Sequence, residues 1–226
     1  MDKELRELKT FRYSELSRDS KLVADGNFRT QITEKVNDIA KVLVNSKSKG
    51  FLPTDNIKWS ISEKVNGMST IGNIDIFKYR GIDNHPILKS ERLKSIIWDC
   101  VYCYIYSDSS SHYHEASMMV GVETYSMGSE LEKMINKHGC PELGVPKTSN
   151  SQKEIDEVYD FLNTEVNKFL LMLEESIKHD AIEICREVYP VLVDEYKKYR
   201  EIAFENCGKF RYFEDGTIAK ECEGRD

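Results

Sequence analysis

The residues best suited to chemistry stand close together. His112, His114 and Glu115 lie in SDSSSHYHEASMMV (107–120), just after the CVYC stretch that carries Cys100 and Cys103. Imidazole and thiolate are ordinary zinc ligands, and two histidines at alternate positions of a strand share one face, so they can converge on one ion. A catalytic metal site needs at least a third protein ligand and an open position. Glu115 falls on the opposite face of an extended strand, and Cys103 falls on the opposite face from Cys100. A zinc knuckle needs a tight turn, whereas this stretch is dense in β-formers. The third ligand would have to come from His85, Asp99 or Asp108. The expectation is that His112 and His114 bond to tyrosines or solvent at a strand entrance, with no metal and no cofactor. A small metal-dependent enzyme built on these two histidines is the rival.

Other chemistries find less support. The chain has no GxxxxGK[ST], GxGxxG or GxSxG. Its six cysteines are irregularly spaced and form no disulfide framework. Cys185, among Ile182, Ile184 and Val188, reads as core. Glu174-Glu175 and Glu183/Glu187 resemble the carboxylate pairs of di-iron bundles, but the ExxH spacing is missing, since His179 follows Glu175 by four. Tyr102, Tyr104 and Tyr106 alternate and would share a face. That face is either a stacking surface for a base or peptide or, more usually, is packed under a helix.

Charge is concentrated. The 226 residues hold 32 basic and 39 acidic side chains, a net of −7. Between Ser151 and Asn206 there are fourteen acidic and seven basic residues, again −7. One reading is the solvated outer face of amphipathic helices. The other is an acidic surface that docks on a basic partner, one that normally binds nucleic acid, through Glu174, Glu175, Glu183, Glu187, Asp194 and Glu195. Direct nucleic-acid binding is not expected from this balance. The opening MDKELRELKT has no apolar stretch of a secretory signal, and no run reaches the roughly 20 residues of a membrane span, so a cytoplasmic location is expected.

The elements that must position these residues follow from periodicity. Phe11 and Tyr13 alternate in a short strand before a helix start, with Ser14 or Ser17 as cap. Ile32, Val36, Ile39, Ala40, Leu43 and Val44 predict a helix over about 29–48. Ile57, Trp59, Ile61 and Val65 alternate in a strand, Asn66-Gly67 signals a turn, and TIGNIDIFKYR returns. IIWDCVYCYIY (96–106) and SMMVGVETY (117–125) predict a second pair. A hairpin centred on Ser109 would set Tyr106 opposite His112 and Tyr104 opposite His114. From about 151 an apolar stripe, Ile155 to Ile177, predicts a long helix. Pro190 should kink or break it, a second helical piece should reach Asn206, and KFRYFEDGTIAKE should form a hairpin turning at Asp215-Gly216.

Three short segments carry a family resemblance: FRYSELSRDSK (11–21), HYHEASM (112–118) and YFEDGTI (212–218). In these the chain resembles a family of phage and prophage accessory proteins. The resemblance implies a phage-encoded accessory protein and no particular reaction. The expected fold is α+β, a single domain over 1–226 with a sheet-rich part (50–126) and a helical part (150–207). An antiparallel sheet of four or more strands in a meander would pack on long helices, and the aromatic ends, TFRY and KFRYF, would pair or share a sheet edge. The expected function is stoichiometric, non-enzymatic binding to a host protein or nucleoprotein in the host cytoplasm, such as a defence component that it inhibits. A phage structural or assembly subunit is a third reading.

Overall fold

The computed structural model describes residues 10–61, 66–107, 118–138 and 152–221. The fold mixes helix and strand, with small antiparallel sheets packed against a long helix. It divides into two compact units, Lys41–Tyr189 and a second formed by Met1–Ala40 with Pro190–Asp226, where the sequence suggests one domain over 1–226. Two helices run through both: α1 (Arg18–Lys47) and α4 (Gln152–Asn206).

The unit of the two ends is built around aromatics. α1 begins where Ser17 caps it, its Oγ accepting from the Ser20 amide at 3.1 Å. The helix starts well before the expected residue 29, with Gly26 inside it, because buried Ala24 already belongs to the stripe that continues through Ile32, Val36 and Ala40. At the other end, β6 (Phe210–Tyr212) and β7 (Ile218–Glu221) form the hairpin that Asp215-Gly216 announces. The Asp215 carboxylate accepts from the Thr217 amide at 2.9 Å, and this bond lowers its pKa. Gly216 has φ +89°, and a Cβ there would collide with the Ser20 carbonyl. Phe11 bridges Tyr212, a 3-10 turn (Tyr13–Glu15) follows, and Leu16, Ala24 and Tyr212 are buried among Phe11, Tyr13, Phe28, Phe210 and Ile218. The two aromatic ends thus pair through Phe11 and Tyr212.

The 41–189 unit holds the other strands: β1 (Ile57–Ile61), β2 (Asn66–Thr70), β3 (Gly72–Asn73), β4 (Val101–Ser107) and β5 (Met118–Thr124). They form a two-stranded sheet, β1-β2, and a three-stranded one, β3-β4-β5. The expected meander of four or more strands in one sheet is therefore wrong, and three local causes can be identified. Asn66 and Gly67 pair with Ile61 and Ser60, so they open β2 and are not a turn. After β3 a 3-10 turn (Ile76–Lys78) with Tyr79 as its C-cap buries Ile76 and Tyr79 three apart and leaves Phe77 exposed, so the segment does not return as a strand. Residues 96–100, expected as strand, belong to α2 (Glu91–Cys100). Leu93, Ile97 and Cys100 are buried at helical spacing, and Ser90 caps the helix with Oγ 3.4 Å from the Leu93 amide. α3 (Met127–His138), absent from the sequence reading, buries Met127, Leu131, Met134 and Ile135.

α4 supplies the long side of this unit with Leu162, Val166, Phe169, Leu173 and Ile177, all fully buried. Tyr79 reaches it, donating between Ser176 Oγ at 2.9 Å and Asp180 Oδ2 at 3.0 Å. Of the expected kink or break at Pro190, the break does not occur: the helix runs on to Asn206. Proline removes one backbone donor there, and the division between the units falls at the same place, between Tyr189 and Pro190.

Candidate functional site

The β4–β5 register decides which side chains meet. Tyr106 pairs with Met119 and Tyr104 with Gly121, so the partner of Tyr106 lies seven residues beyond the expected His112. An odd shift moves side chains to the other face. Cys103 and Ile105 now share a face with Met118 and Val120, and all four are buried. Trp98 and Cys100, inside the stretch expected as strand, lie in α2.

The opposite face carries Tyr102, Tyr104 and Tyr106. Among the described residues it faces solvent, where packing under a helix was the more usual expectation. Tyr102 is 38% exposed and Tyr106 40%, and Tyr104 is half-buried between them. The rings form a row with centroids 5.8 and 5.6 Å apart, tilted by 34° and 35°. Tyr104 lies flat across Gly121, where a Cβ would overlap its ring. This posture carries its hydroxyl to Glu123 Oε1 at 2.9 Å, while Tyr125, 62% exposed, donates to Glu123 Oε2 at 2.9 Å. Both bonds favour the neutral phenol, so both hydroxyls ionise above their ordinary range. Tyr102 donates to Asn73 Oδ1 of β3. At the Met119 end, the Lys178 ammonium sits 3.4 Å from the thioether sulfur. Chemically, this is a rigid aromatic row with one exposed carboxylate clamped beside it. Glu123, Tyr125, Asn73 and Gly121 do not stand out in the sequence. Only the register groups them with the tyrosines.

The six acidic candidates are divided between the two units. Glu174, Glu175, Glu183 and Glu187 belong to the 41–189 unit, and Asp194 and Glu195 to the other. Glu175, Glu187 and Asp194 are exposed, whereas Glu174, Glu183 and Glu195 are half-buried. Three are paired: Glu187 with Lys47 at 2.6 Å, Glu183 with Arg186 at 2.7 Å and Glu195 with Lys198 at 3.5 Å. A groove of about 310 Å³ runs past Lys47, Lys78, Arg80, Asp180, Glu183 and Glu187. Its charges largely answer one another, since Lys78 and Arg80 also pair with Asp75 and Asp83, so it reads as a structural ion network.

His112, His114 and Glu115 lie outside the described residues. Among the described residues no group of three or more His, Cys, Asp or Glu is placed to hold a metal ion. The buried cysteines are poor nucleophiles. Burial, with Glu174 nearby, pushes the Cys103 thiol up to about 12, and burial also raises Cys100. Cys185 is core, 4.0 Å from the Met118 sulfur. No described helix is long and apolar enough to cross a membrane. Comparison with protein-family models, curated proteins and solved structures finds no match to this chain.

Proposed function

We propose that the protein is a non-enzymatic binding protein of the phage accessory type, which docks stoichiometrically on a host macromolecule through the tyrosine face of β3-β4-β5. The carrying observation is the solvent-facing row Tyr102–Tyr104–Tyr106 on a strand whose other face is buried core. Tyrosines offer a large contact area with only two side-chain torsions to freeze, the economy that enriches them at recognition surfaces. Hydrogen bonds to Asn73 and Glu123 hold two of the rings in place before any partner arrives. The acidic excess of α4 supplies a field that steers a basic partner. The phage setting rests on the resemblance of the FRYSELSRDSK, HYHEASM and YFEDGTI segments, and a host defence component is the proposed target within that setting.

The test is affinity capture from host lysate, comparing wild type with a Tyr102→Ala, Tyr104→Ala, Tyr106→Ala variant of unchanged melting temperature. A partner retained at constant stoichiometry by wild type and lost by the variant supports the proposal. A partner held equally by both removes the tyrosine face from the mechanism.

A further inference from the structure

We infer that the tyrosine face is built for a cationic, arginine-bearing extended segment of the partner, with Glu123 as the residue that selects positive charge. This rests on the binding-protein reading above and goes further, by naming the chemistry of the ligand.

The first argument is the carboxylate. Glu123 is exposed, and its two oxygens each accept one phenol hydroxyl, at 2.9 Å and 2.9 Å. A carboxylate offers roughly four lone-pair positions, so about two stay open. No cation among the described residues pairs with it. The carboxylate is thus oriented by two neutral donors and keeps its charge for an incoming group. A guanidinium, with parallel N–H donors in a planar fork, suits such an acceptor better than an ammonium does.

The second argument is the aromatic row. Ring faces carry negative quadrupole density, and a cation within roughly 6 Å of a centroid is attracted to it. Three rings repeat at 5.8 and 5.6 Å. An extended strand presents side chains of one face about 6.6–6.8 Å apart, so a peptide with arginine at every second position can set one guanidinium near each ring. Tyr104 touches both features: its ring is the centre of the row, and its hydroxyl anchors Glu123.

The third argument is charge complementarity. Stacked bases would also use the rings, but their phosphates would then approach Glu123 on a protein of net charge −7. The one cation that the described contacts bring to this face, Lys178, lies at the Met119 end. Among the described residues phosphate finds no neutralising partner at the Tyr102–Tyr104–Tyr125 end, whereas arginine finds its acceptor there.

The experiment uses the full chain and four fluorescent probes of equal length at low salt. These are peptides with arginine, lysine or glutamate at alternate positions, and a single-stranded oligothymidine. Anisotropy titration should rank arginine above lysine, with no saturable binding of the other two. Glu123→Gln, which keeps the shape, with one phenol still donating to the amide oxygen and the other turned to accept from the amide N–H, should weaken the arginine peptide about tenfold, the scale of one lost charge-assisted pair. Tyr104→Phe, which keeps the ring and frees one carboxylate oxygen, should weaken it less than Glu123→Gln does. Circular dichroism melts of both variants should match wild type. If the oligonucleotide or the glutamate peptide binds best and Tyr102→Ala abolishes it, the cation inference falls while the tyrosine face stands as a binding surface. If the arginine peptide binds equally to wild type, Glu123→Gln and the triple tyrosine variant, both readings of this face fall. If no probe binds, the cation inference is overturned.

Discussion

Phe11 and Tyr212 exchange both backbone hydrogen bonds, amide to carbonyl at 2.8 and 2.9 Å, and so join the first described residues to the last hairpin. Around that bridge Tyr13 meets the Tyr212 ring edge-on at 5.9 Å, Phe28 meets Phe210 at 5.7 Å, and Ser20 donates to the Glu214 carbonyl at 2.6 Å.

The ends are therefore structural. Tyr212 is fully buried, and truncation of a buried aromatic costs about 3–5 kcal/mol. Tyr212→Ala, or deletion of Lys209–Asp226, should lower the melting temperature by many degrees. Deletion of Met1–Tyr13 should do the same through loss of Phe11 and Tyr13. A thermal melt followed by circular dichroism checks this, and an unchanged midpoint in any of the three would refute it.

Alkaline pH should destabilise the protein in a defined window. Burial, helped by neighbouring carboxylates, raises Tyr13 and Tyr79 to about 12, and burial does the same for Tyr212. An unfolded tyrosine ionises near 10. Between those values the folded chain holds protons that the unfolded chain has released, so stability falls as pH rises from about 10 to about 12. Urea midpoints at pH 9 and at pH 11 should show the loss, and Tyr79→Phe should show less of it. A midpoint independent of pH across that window would contradict the assignment.

A second pH effect comes from His85. Its Nδ1 accepts from the Ile87 amide at 3.3 Å, and its ring lies 5.0 Å from Phe169. Desolvation lowers its pKa, partly opposed by Glu165. A lowered pKa means stability that is present above the unfolded value near 6.5 and lost as pH falls through the folded value. His85→Asn keeps a capping acceptor and removes the titration, so its stability should vary less than wild type between pH 7 and pH 5. An equal slope in both proteins would exclude His85 as the cause.

If the acidic excess steers a basic partner, the on-rate for the arginine peptide should fall with salt, since screening acts over about 8 Å at physiological ionic strength. Glu175 and Asp194 are exposed, with no ion pair among the described residues. Their reversal to Lys should slow association several-fold at low salt and change stability by under about 1 kcal/mol. Glu187→Lys should instead destabilise, because it sets a like charge against Lys47. Stopped-flow rates that ignore both salt and the reversals would reduce the acidic residues to a solvated surface.

Local chemistry was readable where one element answers to one signal. The apolar stripe of α4, the Asp215-Gly216 turn, the Ser17 cap and the pairing of two aromatic ends all follow from spacing and residue type. The failures came where two patterns competed. Residues 96–100 are β-prone, yet Leu93, Ile97 and Cys100 gain more by lying on one buried helical stripe, and the sheet inherits what remains. The β4–β5 register also differs from the expected one by an odd number, which sets Gly121 and Glu123, rather than the expected histidines, opposite the tyrosines. The sequence by itself therefore determined that Tyr102, Tyr104 and Tyr106 share a face, because strand side chains repeat every second residue. Only the tertiary structure decided that this face looks to solvent and that Gly121, Glu123 and Tyr125 belong to it, because register depends on which apolar side chains the helices leave to be buried.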